Sequence, residues 1–283
     1  MASEWDKNER VVRMAGLLKV RDKEIEIGKR TYIMGILNMT PDSFSDGGKY
    51  NTLEKGMERA LKMIEDGADI IDVGGESSRP GYKPVSAEEE LRRIDNIVKR
   101  LHEVDTIVSV DTMKSKVAEE SLKNGAHIIN DIWGLQRDAD MAKVVADYGA
   151  GIVIMHNKDV AEYDDVLKDV ISFLEKSIDI ALKAGIKEEN IMIDPGIGFG
   201  KILEHNLTLM KRLDELKVLG FPILLGTSRK SMIGRVLNLD VNERVEGTAA
   251  TVAIGISKGA DIVRVHDVKE MARVAKMTDA MVR

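Results

Sequence analysis

The sequence predicts an α/β fold, a (β/α)8 TIM barrel with an N-terminal β-hairpin. Three observations carry that prediction. Short apolar runs alternate with amphipathic stretches eight times from residue 32 onward. Two pairs of segments are near copies: Ala68-Asp-Ile-Ile-Asp-Val73 with Ala260-Asp-Ile-Val-Arg-Val265, and Asn124-Gly-Ala-His-Ile-Ile129 with Lys258-Gly-Ala-Asp-Ile-Val263. In each, a Gly closes a helix and the next strand begins about two residues later, as in a repeated α-to-β turn. Finally, no Gly-x-Gly-x-x-Gly follows the first strand, which leaves a doubly wound open sheet as the second choice.

Taken in order, residues 1–30 form a preface in which Leu17–Val20 and Glu24–Ile27 flank Arg21-Asp22-Lys23, the pattern of a hairpin. Strands are expected at 32–38, 69–74, 107–111, 127–132, 151–156, 191–194, 222–227 and 261–266, because each is a short apolar run rich in Ile and Val. Helices are expected at 52–66, 87–102, 114–123, 138–148, 166–184, 204–218, 242–258 and 267–281. No linker or shift of composition divides the 283 residues, so the chain reads as a single domain.

Composition narrows the function. With 43% hydrophobic residues the chain can bury a large core, and a net charge of −6 argues against a general nucleic-acid or membrane-surface binder. There is no Cys, so disulfides, thiolate nucleophiles and Cys-based zinc sites are excluded. No apolar run approaches a membrane span, and the first residues lack the apolar core of a signal peptide; a cytoplasmic protein is the expectation.

A barrel of this kind builds its site at the C-terminal ends of its strands. Those positions are occupied by Asn38, Gly74-Gly-Glu-Ser-Ser-Arg-Pro-Gly81, Asp111, Asn130 with Asp131, Met155-His156, Asp194-Pro-Gly-Ile-Gly-Phe199, Gly226-Thr-Ser-Arg-Lys230, and Arg264 with His266. Several follow directly on apolar runs, and a buried carboxylate needs a donor, so a site is favoured over incidental strand ends. The stretch Gly35 to Gly48 is a buried strand that releases a loop of hydroxyls and carboxylates; an ordinary turn leading to a helix cap near Thr52 has the same composition.

Together these segments resemble the dihydropteroate synthases of the pterin-binding barrel family. The likeness covers residues 31–283. It rests on Asn38-Met-Thr-Pro-Asp-Ser-Phe-Ser-Asp-Gly47, Asp72-Val-Gly-Gly-Glu-Ser-Ser-Arg-Pro-Gly81, Ser109-Val-Asp-Thr112, Asn130-Asp131, Asp194 to Phe199, Gly226 to Lys230 and Arg264-Val-His266, in this order and spacing. The resemblance implies a (β/α)8 barrel. It also implies condensation of 6-hydroxymethyl-7,8-dihydropterin pyrophosphate with 4-aminobenzoate to give 7,8-dihydropteroate and pyrophosphate, in a homodimer.

The resemblance also implies roles. Asp194 clamps the paired N–H donors of the pterin, as a carboxylate can, with Asp111 and Asn130 on the same edge. Lys230 contacts the pterin and borders the aminobenzoate site, and Ile132, Met155 and Phe199 wall the rings; Met155 taken alone reads equally well as core. Arg264 and His266, with Ser78 and Arg79, meet the pyrophosphate. Asn38 contacts the Mg²⁺ that the pyrophosphate carries, a hard ion suited to an oxygen ligand. Thr40, Pro41, Phe44, Ser78 and Ser231 cover the aminobenzoate. The chemistry implied is SN1-like, with catalysis resting on Lys230, Asn38, Arg264 and His266. Two alternatives remain: a methyltetrahydrofolate–corrinoid methyltransferase-like protein, which has no use for Arg79, Arg264 and His266 as a pyrophosphate site, and a catalytically silent pterin-binding paralogue. After His156 the chain reads Asn-Lys-Asp-Val-Ala-Glu, where many relatives carry Met-x-Gly-x-Pro, so no ligand is assigned there beyond Met155. Lys201 and Glu88-Glu89-Glu90 are expected on the solvated surface.

Overall fold

In the computed structural model, eight parallel strands run in the order β8-β7-β6-β5-β4-β3-β10-β9. They are β3 (Tyr32–Asn38), β4 (Ile70–Gly74), β5 (Ile107–Asp111), β6 (Ile128–Asp131), β7 (Gly151–Met155), β8 (Ile191–Asp194), β9 (Leu224–Leu225) and β10 (Ile262–Val265). A parallel bridge between Ile193 and Ile223 joins the two ends of the sheet, and the Ile193 amide donates to Pro222 O at 2.9 Å. The sheet therefore closes on itself, and the open-sheet alternative falls away. The structure describes residues 16–40, 49–76 and 84–283, without the side chains of 49–52.

Both faces of the strands are apolar, as a barrel ringed by helices requires. Inside, Met34, Ile70, Ile128, Val153, Met192, Leu224 and Ile262 pack in one cluster. The same cluster takes in Leu18, Val20, Ile25 and Ile27 of the hairpin β1 (Leu17–Val20) and β2 (Lys23–Glu26). The predicted preface is thus a plug in the N-terminal end of the barrel. Its turn is tied down by Arg21, whose Nη1 donates to Leu122 O and Ala126 O at 2.9 and 2.7 Å. The outer faces pack against the helices in a second, larger core.

The described helices are α1 (Lys49–Glu65), α2 (Ala87–His102), α3 (Ser115–Lys123), α4 (Met141–Asp147), α5 (Val166–Lys183), α6 (Leu203–Lys211), α7 (Ser231–Leu237), α8 (Val245–Ser257) and α9 (Val268–Val282). Local chemistry sets several of their ends. Ser86 caps α2 by accepting from the Glu89 amide, and Asp165 caps α5 through the Leu167 and Lys168 amides. Two expectations need correction. The helix expected over 204–218 stops at Lys211 and continues as a 3-10 helix, Leu213–Leu219. The helix expected over 242–258 is preceded by a separate helix, α7, which ends where Asn238 turns left-handed at φ 55°.

The acidic run that opens α2 also divides. Glu88 is an exposed partner of Lys116. Glu90 is only 1% exposed and pairs with Lys114, which also holds the buried Glu76. Reading the whole run as solvated surface is therefore wrong for Glu90: it is the fourth residue of α2, on the face that packs against α3, and its burial depends on that cation.

Candidate active site

Parallel pairing places the functional strand ends on one level. Asn38 is in register with Gly74, Gly74 with Asp111, and Asp111 with Asn130, while Met155 is in register with Asp194. All of these lie at the C-terminal ends of their strands, the end of a barrel where loops gather around a substrate.

At the centre is a charge network. Arg264 on β10 donates through Nε to Asp72 Oδ2 at 2.6 Å and through Nη2 to Asp111 Oδ2 at 2.7 Å. Asn130 Nδ2 donates to the same Asp72 oxygen at 3.2 Å. Asp72 is fully buried and was not among the expected site residues. A signal for it was present: in the near-copied segments it occupies the position that Arg264 holds in the other copy. The repeat set an acid against a base across the β3 strand that separates them.

Beside this network, Asp194 Oδ1 accepts from the Gly196 amide at 2.7 Å. Lys230 bends over the same loop, donating to Ile197 O, with Nζ 4.7 Å from the centroid of the Phe199 ring. Between Lys230 and Asp194 stands Gly226, where a Cβ would sit 3.6 Å from Lys230 Nζ and 3.9 Å from Asp194 Oδ2. Asp72 Oδ1, Asn130 Oδ1 and Ser109 Oγ are buried without a partner among the described residues. The two Oδ1 atoms are acceptors, and buried acceptors call for donors.

The electrostatics agree. Burial pushes the Asp111 carboxyl up to about 7 against the pull of Arg264. It raises Asp194 as well, with Lys230 opposing. It also draws the Lys230 ammonium down to about 8, with Asp194 opposing. For Arg264 burial works against the charge, but Asp72 and Asp111 outweigh it and the guanidinium stays cationic. A pocket of carboxylates withheld from water favours a ligand that brings N–H groups.

The other expected residues fall into four groups. Ile132 and Met155 are buried beside the network, and Phe199 is half-buried under Lys230. His266 Nδ1 lies 3.0 Å from Ser228 Oγ, and the same hydroxyl accepts from the His266 amide at 3.1 Å, so Ser228 orients the ring; Ser228 was not foreseen. Asn38 is half-buried at its strand end, Thr40 follows it, and Ser231 is exposed at the start of α7. Pro41, Phe44, Ser78 and Arg79 lie outside the described residues.

Lys201 is not the solvated lysine expected of it. Its Nζ meets His156 Nδ1 at 2.7 Å, Gly196 O at 2.9 Å and Phe199 O at 3.0 Å. The sequence signal was the glycine-rich turn just before it, which lets the backbone wrap around an amine.

Comparison with known proteins agrees with this geometry. The family model described as pterin binding enzyme matches residues 34–266. A dihydropteroate synthase of Clostridium beijerinckii is 58% identical over 94% of this chain and all of its own. One of Bacillus subtilis is 52% identical over 94% and 93% of the two chains. Among solved structures, dihydropteroate synthase from Clostridium difficile in the presence of pteroic acid is 54% identical, with a TM-score of 0.89 over 90% of this chain and 98% of that one. The Xanthomonas albilineans synthase with 4-aminobenzoic acid gives 38% identity and a TM-score of 0.90, over 94% and 98%. The chain belongs to the pterin-binding enzyme family. Within that family it is a dihydropteroate synthase, a transferase; the methyltransferase and silent-paralogue alternatives have no observation in their favour.

Proposed function

We propose that this site joins 6-hydroxymethyl-7,8-dihydropterin pyrophosphate to 4-aminobenzoate, forming 7,8-dihydropteroate and releasing pyrophosphate. The observation that carries this reading is the set of buried acceptors, Asp111, Asp194 and the unpartnered Asn130 Oδ1, grouped around two cations, Arg264 and Lys230. The 2-amino-4-oxo edge of a pterin offers adjacent N–H donors to carboxylates and oxygen or nitrogen acceptors to a lysine. Ile132, Met155 and Phe199 supply the apolar walls a flat ring requires.

In the reaction the exocyclic C–O bond to pyrophosphate breaks, a C–N bond to the arylamine forms, and the amine proton is released. The arylamine is neutral near pH 7, so no strong base is needed. Loss of the leaving group first, with cationic character spread into the dihydropterin ring, makes the displacement SN1-like. Cations that hold the departing charge are then the main protein contribution. Ser228 and His266 line the approach to the phosphates, joined in this reading by Arg264 and by Ser78 and Arg79. Thr40, Pro41, Phe44 and Ser231 would cover the aminobenzoate.

A Mg²⁺ ion fits this arrangement as a companion of the pyrophosphate. Among the described residues no three His, Asp or Glu side chains gather into a cage, whereas the Asn38 amide oxygen stands at the strand end, 3.6 Å from where a Cβ on Gly74 would sit. One protein oxygen, with water and phosphate oxygens, suits a small hard ion that dehydrates reluctantly. When bound it would neutralise charge on the leaving group. The exposed Ile254 of α8 and Met277 and Met281 of α9 support a homodimer, and no described helix is long and apolar enough to cross a membrane, in keeping with a cytoplasmic enzyme.

The deciding experiment mixes purified protein with the dihydropterin pyrophosphate, Mg²⁺ and 4-aminobenzoate and follows pyrophosphate. Release that depends on 4-aminobenzoate is expected. Its absence refutes the proposed reaction.

A further inference from the structure

Behind the proposed pterin clamp lies a second layer with no part in the reading so far. The loop after β8, residues 195–202, presses against the loop after β7, residues 156–165, closely enough that no side chain fits at Gly196 or Gly200. A Cβ on Gly196 (φ 68°) would stand 1.9 Å from His156 O, and one on Gly200 (φ 54°) would stand 2.1 Å from Lys158 O. Tyr163 fastens the far side, its hydroxyl donating to Gly200 O at 2.7 Å. His156 is 2% exposed, and its ring packs edge-on to Phe173 at 4.8 Å.

Lys201 closes this layer from within. Its amine has three acceptors, His156 Nδ1, Gly196 O and Phe199 O. Three acceptors need three donors, which an ammonium has and a neutral amine lacks. His156 can serve as acceptor because burial, then the neighbouring Lys201, draws its pKa down to about 3 and keeps the ring neutral. The two carbonyls held by Lys201 bracket Ile197, whose own carbonyl receives Lys230. One belongs to Gly196, whose amide caps Asp194, and the other to Phe199, whose ring lies under Lys230.

We infer that Lys201 is a positioning residue of the pterin subsite: its ammonium, seated on His156, fixes the 195–200 loop and thereby sets Asp194, Phe199 and Lys230 against the pterin edge. The inference rests on the proposed placement of the pterin at Asp194. Asp194 and Lys230 both face the Lys201 amine electrostatically, the first favouring its charge and the second opposing it, and burial draws it down to about 7. The loop is therefore held by a charge that the site itself balances. The three donors of the Lys201 amine go to His156, Gly196 and Phe199 rather than to Ser228 or His266, so the phosphate side should be less sensitive to its loss than the pterin side.

That asymmetry supplies the test. Affinities for 6-hydroxymethyl-7,8-dihydropterin and for inorganic pyrophosphate are measured by titration calorimetry for the wild type, Lys201→Met and Lys201→Gln. Pterin affinity is expected to fall roughly tenfold or more in Lys201→Met, the loss expected when a charged hydrogen-bond donor is removed. It should recover in part in Lys201→Gln, which retains two donors, while pyrophosphate affinity stays within about twofold in both. Unchanged pterin affinity, or equal losses for the two ligands, overturns the inference. If Lys201→Met does not fold, the same comparison in Lys201→Gln decides it. A wild-type protein that binds no pterin overturns the functional reading, and the inference with it.

Discussion

Arg264 holds two acids at once, and its removal should show what that pairing is worth. In Arg264→Met the volume is roughly kept but Asp72, fully buried, and Asp111, 7% exposed, lose their shared cation. Stripping the partner from a buried charge costs about 3–5 kcal/mol. At about 2–4 °C per kcal/mol for chains somewhat smaller than this one, the melting temperature should fall by roughly 6–20 °C. The loss should also depend on pH with a definite sign. Burial already raises Asp111 to about 7 in the folded protein, and without Arg264 it rises further, whereas an aspartate of the unfolded chain titrates near 3.9. An acid whose folded pKa is raised costs stability once the pH exceeds its unfolded value, because the unfolded chain gives up its proton more easily. The deficit of the variant against wild type should thus widen from about pH 5 to pH 8. Urea melts followed by circular dichroism at those two pH values measure it directly. A loss below about 1 kcal/mol, or one equal at both pH values, would refute the assignment of Arg264 as the counter-ion of two buried acids.

Other perturbations address the remaining parts. Lys230→Ala should lower turnover by about 100-fold or more, as loss of a preorganised charge does elsewhere; near-wild-type rates in a steady-state assay would contradict its role. Ser228→Ala removes the hydroxyl that bonds the His266 ring and should raise KM for the pyrophosphate-bearing substrate by roughly 3- to 10-fold. Affinity for bare dihydropterin should be unaltered, and equal weakening of the two would speak against a phosphate role. Lys114→Met leaves Glu76 and Glu90 buried without their cation and should cost about 3 kcal/mol in a denaturant melt. A cost below about 0.5 kcal/mol would place Lys114 among ordinary surface lysines.

Much of the barrel was legible because strand and loop chemistry are local. Tyr32–Asn38 and Ile107–Asp111 begin and end where their apolar runs do. The seventh strand of the barrel was less so. The run 222–227 yields only Leu224–Leu225 as ladder, because Pro222 has no amide to give and the chain must turn at Gly226 to seat Lys230. The polar strand ends could be picked out as a ring, but not the bonds among them. Asp72 looked like one acid in an apolar strand, and only the closure of the sheet brings β10 within reach of it. Lys201 was hidden by distance in sequence: the side chain its amine bonds, His156, is 45 positions away.

The hairpin plug has a bearing on how the chain is made. Its apolar residues, Leu18, Val20, Ile25 and Ile27, leave a ribosome before the strands they pack on. The residues they are buried against run from Met34 to Ile262. Their final resting place exists only when the last strand has been synthesised and the ring has closed. For nearly the whole of translation this small apolar face must go without its native cover, a long-range debt of the sort that slows folding and invites association between nascent chains. The hairpin, at the end of the barrel opposite the chemistry, is thus the part whose burial reports that the barrel is complete.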